Sequence, residues 1–269
     1  MQTLKVEDVK YVYKNKYQTV HALAGVSSEF EKGKFYAIIG KSGSGKTTLL
    51  SMIAGLDNPT SGDVFISGKK VRDIDRDKYR LEHVSVIYQG LNLFPLLSAI
   101  ENVTFPLEYK KMPKAKAKEL AAEKLLAVGI GEPMHRRLPS MLSGGEQQRV
   151  AIARALANKN EIILADEPTG NLDSENGANI VKLLKDLAKT EDICVIVVTH
   201  DMDVAAQADV IVRISDGQIV SVEKKFENEL RPEQDYSQVD NHHSSTPVES
   251  DDSLSEYWAD YYNKNRFVE

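Results

Sequence analysis

The sequence predicts an α/β fold: a mostly parallel sheet with helices on its faces, joined to an N-terminal antiparallel β subdomain and an inserted helical subdomain. Three observations carry this. "FYAIIG", "EIILAD" and "ICVIVVTH" are short apolar, largely β-branched runs of the kind that fill strands buried on both faces of a parallel sheet. Segments of helical spacing alternate with them, as βαβ units require. Between Gln89 and Leu142 the composition shifts toward Ala, Lys, Glu and Leu, which marks helical material set into an α/β core.

In chain order, residues 3 to 36 alternate and turn like strands through "LKVEDVKYVY", "VHALAGVSSEFEKG" and "KFYAIIG". The last runs straight into "GKSGSGKTT" at 40–48, and "KTTLLSMIAGL" follows with helical spacing, so the order is strand, loop, helix. "NPTSGD" at 58–63 is turn chemistry, "VFISGKKV" reads as a short hairpin piece, and "VSVIYQ" at 84–89 is another strand. Inside the insertion, "PKAKAKELAAEKLLAVGI" begins at a proline and reaches Gly129, where a helix can end. "MLSGGEQQRVAIARAL" at 141–156 is a further helical run, opened by Ser143, Gly144 and Gly145. The strands "EIILAD" and "ICVIVVTH" then flank the helical stretch "SENGANIVKLLKDLAKT".

A length of 269 residues with 42% hydrophobic content suits one large domain or two modest ones. The net charge of −6 is uneven: residues 226–269 hold 11 acidic and 3 basic side chains, against 29 acidic and 31 basic in residues 1–225. A nearly neutral body gives no electrostatic argument for a nucleic-acid partner. The single cysteine, Cys194, cannot form an intramolecular disulfide, which suits a reducing compartment, and it reads as a small apolar residue of a buried strand. No run approaches the roughly 20 apolar residues that span a bilayer, and no signal-peptide pattern opens the chain. The expectation is a protein soluble by itself, free to dock on a membrane protein.

The chemistry concentrates at strand ends. Gly40 to Thr47 fits the phosphate-binding pattern G-x-x-x-x-G-K-[S/T]: Gly40, Gly43 and Gly45 let the backbone bend so that several N–H groups of the loop, which also holds Ser42 and Ser44, point at one anion. Lys46 can reach the terminal phosphates, and Thr47 offers a hydroxyl to Mg²⁺. "IILADE" places Asp166 and Glu167 at the sheet's C-terminal edge, where α/β folds bind ligands; Asp166 suits Mg²⁺, and Glu167 can orient or deprotonate a water. Gln89 and His200 end two further strands, in position to meet metal, water or γ-phosphate. A lone histidine is more often structural, but four polar side chains closing three apolar strands form a constellation. Ser143, Gly144 and Gly145 make a second anion cradle, from bare N–H groups, a hydroxyl and the positive end of a helix dipole.

With these motifs in this order, residues 2–222 resemble the ATP-binding subunit of ABC transporters: the phosphate loop, Gln89, the signature "LSGGE" at 142–146, "IILADE", "NLD" at 171–173, and His200. "ADEPTGNLD" and "FPLLSAIENV" resemble the subgroup of lipoprotein-release, macrolide-export and antimicrobial-peptide-export ATPases, with a cell-division relative. The resemblance implies a RecA-type P-loop core and an ATP- and Mg²⁺-dependent ATPase, catalytic at Glu167, His200, Gln89 and Lys46, with Thr47, Gln89 and Asp166 at the metal. It further implies a head-to-tail homodimer, each ATP lying between one phosphate loop and the other copy's Ser143, Gly144 and Gly145, with Asp173 reaching the opposite site. Thr48 would touch the α-phosphate. Tyr13 would stack on adenine, although Tyr11 and Tyr17 lie close and a strand-edge tyrosine is the alternative. A membrane permease would dock near Leu91, Leu93, Phe94 and Leu97, residues that can equally be subdomain core, which places the protein in the cytoplasm on the inner face of the membrane. The other readings are an ATPase regulating a cell-envelope or cell-division complex, and a soluble ABC ATPase. Glu146 departs mildly from the commoner glutamine.

The expected domains are 1–225 for the ATPase, with its helical subdomain at about 91–156, an acidic linker at 226–252, and an aromatic C-terminal helix at 253–269. In that helix Leu254, Tyr257, Trp258, Tyr261 and Tyr262 share one face, and Ser253 with Glu256 fits a capping box. A polar end with chance aromatics is the alternative.

Overall fold

The computed structural model describes residues 2–170 and 172–225. Strands β1 (Gln2–Lys14) and β2 (Thr19–Glu31) form a long antiparallel hairpin. Its turn is closed by the Asn15 side chain, which accepts from the N–H groups of Tyr17 and Gln18, both at 2.8 Å. The fully buried β3 (Phe35–Ile39) follows, then α1 (Lys46–Ile53). Next come β4 (Ser61–Ile66), the two-residue β5 (Lys69–Lys70), α2 (Arg76–Glu82) and β6 (Val84–Ile87). The insertion holds α3 (Ala99–Tyr109), α4 (Lys114–Ala127) and α5 (Gly144–Ala157). The chain then forms β7 (Ile162–Asp166), α6 (Ser174–Thr190), β8 (Cys194–Thr199), α7 (Met202–Ala206), β9 (Val210–Ser215) and β10 (Gln218–Lys224).

Two sheets result. The antiparallel one runs β2-β1-β4-β5; the larger runs β10-β9-β3-β8-β7-β6, parallel throughout except for β10 on β9. Alternation along the large sheet's strands sorts the core into two layers, because successive side chains leave a strand on opposite faces. Phe35, Ala37, Ile39, Ile163, Ala165, Val195 and Val197 pack with α3, α4, α5 and α6. Tyr36, Ile38, Ile162, Leu164, Cys194, Ile196 and Val198 pack with α1 and the inner face of the antiparallel sheet. Both faces are covered, which is why these strands read as unbroken apolar runs.

The strand read as "VSVIYQ" stops at Ile87, so Tyr88 and Gln89 lie just past its end. Residues 226–252 and 253–269, expected as linker and aromatic helix, lie outside the described residues. Among the described residues no helix is long and apolar enough to cross a membrane.

Candidate functional site

The parallel register brings the C-terminal ends of β3, β8, β7 and β6 side by side. At roughly 4.8 Å per strand the row spans about 14 Å. The chain leaving each end supplies one part of the site: the loop at 40–47, His200, Asp166 with Glu167, and Gln89. They line a cleft of about 660 Å³ together with Tyr13, Ser42, Gly43, Gly45, Lys46, Thr47 and Thr48.

The loop owes its shape to glycine. Gly43 and Gly45 stand at φ 78° and 103°, and a Cβ on Gly45 would lie 2.4 Å from the Ala22 carbonyl oxygen. Gly40 and Ser44 do not line the cleft. Gly40 packs on the Ile214 carbonyl oxygen, and the Ser44 hydroxyl beside it is buried without a hydrogen-bond partner. Lys46 Nζ donates to the carbonyls of Gly40 and Lys41 at 2.9 and 3.0 Å, folding the side chain across the loop.

Asp166 and Glu167 divide the work. Burial pushes the Asp166 carboxyl above its usual range, the adjacent Glu167 adds to this, and the Thr47 hydroxyl bonded to it pulls the other way. Glu167 stands at φ 47°, a conformation that costs a non-glycine residue energy. Three contacts hold it: its N–H donates to Val198 O at 2.9 Å, the Thr199 hydroxyl donates to Oε2 at 3.1 Å, and His200 Nδ1 donates to Oε1 at 2.7 Å. The Glu167 hydrogen bond raises the His200 pKa above its ordinary value. Gln89 reaches the same corner, since a Cβ on Gly170, just beyond Glu167, would lie 3.3 Å from its Nε2.

Of the three tyrosines near the rim, Tyr13 lines the cleft; it is 51% exposed, with its hydroxyl 3.4 Å from that of Thr48. Tyr11 instead packs edge-on against Tyr13 and bonds to Asp57, which with burial lifts its pKa to about 12; Tyr17 is 94% exposed. Sequence reasoning missed Val20, His21 and Ala22, which line the cleft opposite Tyr13. No sequence signal marks them: they join the cleft through the hairpin register that pairs Tyr13 with Val20 and Val12 with His21. It also missed Thr199, whose hydroxyl bonds Glu167 and accepts from the Asp201 N–H at 3.0 Å.

Ser143, Gly144, Gly145 and Asp173 do not line this cleft. Ser143 caps α5 in a capping box with Glu146, and Gly144 and Gly145 open the helix, so their N–H groups have no intrahelical acceptor. Gly145 is buried: a Cβ there would meet Asn176 and Leu172 at 3.5 and 3.8 Å, while Ser143 and Gly144 are exposed. Asp173 caps α6, its carboxyl held below the usual range by the Asn176 N–H and side-chain amide.

Of the residues expected at the docking surface, Phe94 is exposed. Leu91, Leu93 and Leu97 are half-buried, and Leu93 packs on the core of the helical subdomain. The exposed apolar patch consists of Phe94, 86%-exposed Leu96, Phe105 and Tyr109, with the Phe94 and Phe105 rings 4.6 Å apart. The buried Asn102 holds the backbone of this segment: it accepts from the Phe94 N–H and donates to the carbonyls of Phe94, Leu97 and Ser98.

Residues 23–170, more than half of the chain, match the protein family described as ABC transporter. The chain belongs to that family. The ABC protein is 44% identical over 217 residues to the ABC transporter ATP-binding protein YclH of Bacillus subtilis, covering 81% of this chain and 95% of YclH. The solved dimeric structure of MJ0796, an ABC transporter cassette of Methanocaldococcus jannaschii, matches with a TM-score of 0.77 at 43% identity, covering 82% of this chain and 98% of that one. A third relative is the macrolide export ATP-binding/permease protein MacB of Hyphomonas neptunium, 43% identical over 221 residues; the match covers 81% of this chain and 34% of MacB. As an ABC ATP-binding subunit, the chain is an ATPase that energises a membrane transporter.

Proposed function

We propose that two copies of this chain pair head to tail around two ATP molecules and drive a membrane exporter of peptides, lipoproteins or drugs from the cytoplasmic face. One observation carries the pairing. The chain has a phosphate cradle that opens on the Glu167 cleft and a second cradle, at Ser143 and Gly144, that is exposed and outside it. A second copy completes both sites at once, and such two-fold pairing is the commonest oligomer symmetry. The solved MJ0796 cassette is described as dimeric, and a second MJ0796 structure as a post-hydrolysis state bound to ADP and Pi. The exporter reading follows MacB.

Within each site the loop N–H groups and Lys46 hold the phosphates, Thr48 meets the α-phosphate, and adenine stacks on Tyr13. The residues present fit Mg²⁺: a hydroxyl and a carboxylate are already bonded to each other, Thr47 to Asp166, and two adjacent half-buried acids gain from a cation beside them. Gln89 lies within reach of the same position. The ion would supply charge neutralisation at the phosphoryl group being transferred. Glu167 orients the attacking water and takes its proton as the oxygen bonds to the γ-phosphorus and ADP leaves. A carboxylate has about four lone-pair positions, so the bonds from Thr199 and His200 still leave it able to accept this one. His200 fixes the carboxylate's orientation.

The test is Glu167→Gln. Turnover should fall at least about 100-fold, ATP affinity should persist, and ATP with Mg²⁺ should convert the variant to a stable dimer in gel filtration. A variant that stays monomeric at saturating ATP and Mg²⁺ would sink the two-copy site.

A further inference from the structure

The segment that leaves β6 is bent into a shape its own sequence does not favour. Leu91 and Asn92 stand at φ 61° and 46°, the one place among the described residues where two consecutive non-glycine residues are left-handed. Asparagine tolerates that region; leucine, with no polar group to bond locally, does not. Such strain persists only where the surroundings impose it.

Here the imposing group is Arg154. Its Nη1 donates to the Asn92 carbonyl at 2.8 Å and its Nη2 to the Leu91 carbonyl at 3.0 Å, so both arms of one planar fork hold both strained residues. Burial draws the guanidinium pKa below its ordinary value, with the Tyr88 phenol acting against this, so the cation sits where charge is costly and main-chain carbonyls compensate it. The Leu91 N–H closes the turn onto the Tyr88 carbonyl at 2.9 Å, and the two residues enclosed between them are Gln89, on the wall of the ATP cleft, and Gly90. Arg154 lies on α5, about three turns from the Ser143 cap.

We infer that Arg154 is the positioning residue for Gln89: by clamping the left-handed pair Leu91–Asn92 it fixes where Gln89 stands in the cleft and ties that position to the helix that begins at the second phosphate cradle. The inference rests on the reading of Gln89 as a contact to metal or attacking water. It makes α5 the rigid link between the two, so a shift of Ser143 toward a partner's phosphate carries Arg154, and with it residues 89–92.

Arg154→Lys keeps the charge and loses the fork. We expect kcat for ATP to fall about tenfold with KM within about twofold of the parent. In the nucleotide-free protein, amide exchange should quicken across 88–94 and stay unchanged in the loop at 40–47. Restoring φ freedom by adding Leu91→Gly and Asn92→Gly should bring kcat back to within about threefold of the parent. That recovery separates the clamp from mere packing, because glycines in the turn cannot replace lost packing around α5. Arg154→Gln, read the same way, covers the case in which Arg154→Lys fails to fold. An unchanged kcat in the single variant, exchange that quickens evenly through α3, α4 and α5, or glycines that give no recovery would each overturn the inference. Gln89→Ala tests the underlying reading separately: normal turnover there removes the role of Gln89, while the exchange at 88–94 still reports on the clamp.

Discussion

Single atoms decide whether the phosphate loop can form. At Gly45 a methyl group would lie 2.4 Å from the Ala22 carbonyl oxygen and 3.1 Å from Leu23, on a backbone at φ 103°. The obstacle is main chain and cannot swing away. Gly43 is also left-handed, at φ 78°, but a Cβ there meets nothing within 4 Å. Gly45→Ala should therefore destabilise the protein by about 2 kcal/mol and weaken ATP binding at least tenfold, by roughly 1.4 kcal/mol or more. Gly43→Ala should cost only about 1 kcal/mol. Urea unfolding and ATP titration of both variants check the contrast; equal effects would mean that strain alone, without the Ala22 contact, sets the glycine requirement. The spacing of the loop was legible in the sequence because glycine and lysine are placed by local geometry. Val20, His21 and Ala22 were not, because their role exists only once β2 pairs with β1.

At the scale of elements, caps explain where helices begin. "SAIE" and "SGGE" have the serine–glutamate spacing of a capping box, and both form it, at α3 and α5. In α5 the Ser143 N–H donates to Glu146 Oε2 at 2.6 Å, so the departure from glutamine at this position is a working cap. That hydrogen bond, ahead of smaller contributions, holds the Glu146 carboxyl below its ordinary value of 4.5. For an acid with a lowered folded-state pKa, the added stability is present above the unfolded value and is lost as pH falls through the folded one. Glu146→Ala should lose about 1 kcal/mol at neutral pH, whereas Glu146→Gln should stay closer to the parent and converge with it as the pH drops below about 4.5. Thermal melts across pH 3 to 7 measure this; a gap to glutamine that widens in acid would refute the assignment. The sequence reading passed over the 11-residue α3 and several short elements. The seven residues of α2 and five of α7 show too little of a 3.6 period to register. The β9–β10 hairpin did carry a signal, Asp216-Gly217 at φ 49° and 74°, the dipeptide of a two-residue turn between apolar alternations.

At the scale of the whole molecule, the strand ends form the cleft proposed for ATP, and the exposed residues of the 94–109 segment carry what the fold itself does not use. Asn102 and the Ser98–Glu101 capping box hold this segment rigid, so Phe94, Leu96, Phe105 and Tyr109 present a preformed apolar patch. Leu96 is the most exposed of them, and its side chain supports nothing inside the subdomain. On the reading that a permease docks here, burying a leucine there is worth about 1.5–3 kcal/mol, or roughly tenfold to a hundredfold in affinity. Leu96→Glu should therefore leave the melting temperature unchanged and the isolated chain's ATP turnover within about twofold. In detergent extracts it should lose its co-purifying multi-pass membrane partner, and in reconstituted vesicles ATP hydrolysis should no longer respond to that partner. A variant that keeps its membrane partner would move the docking surface elsewhere and leave the patch to another contact. The cleft at the ends of the parallel strands would be untouched by either result, since Phe94 and Leu96, in the loop ahead of α3, and Phe105 and Tyr109, on α3, do not line it.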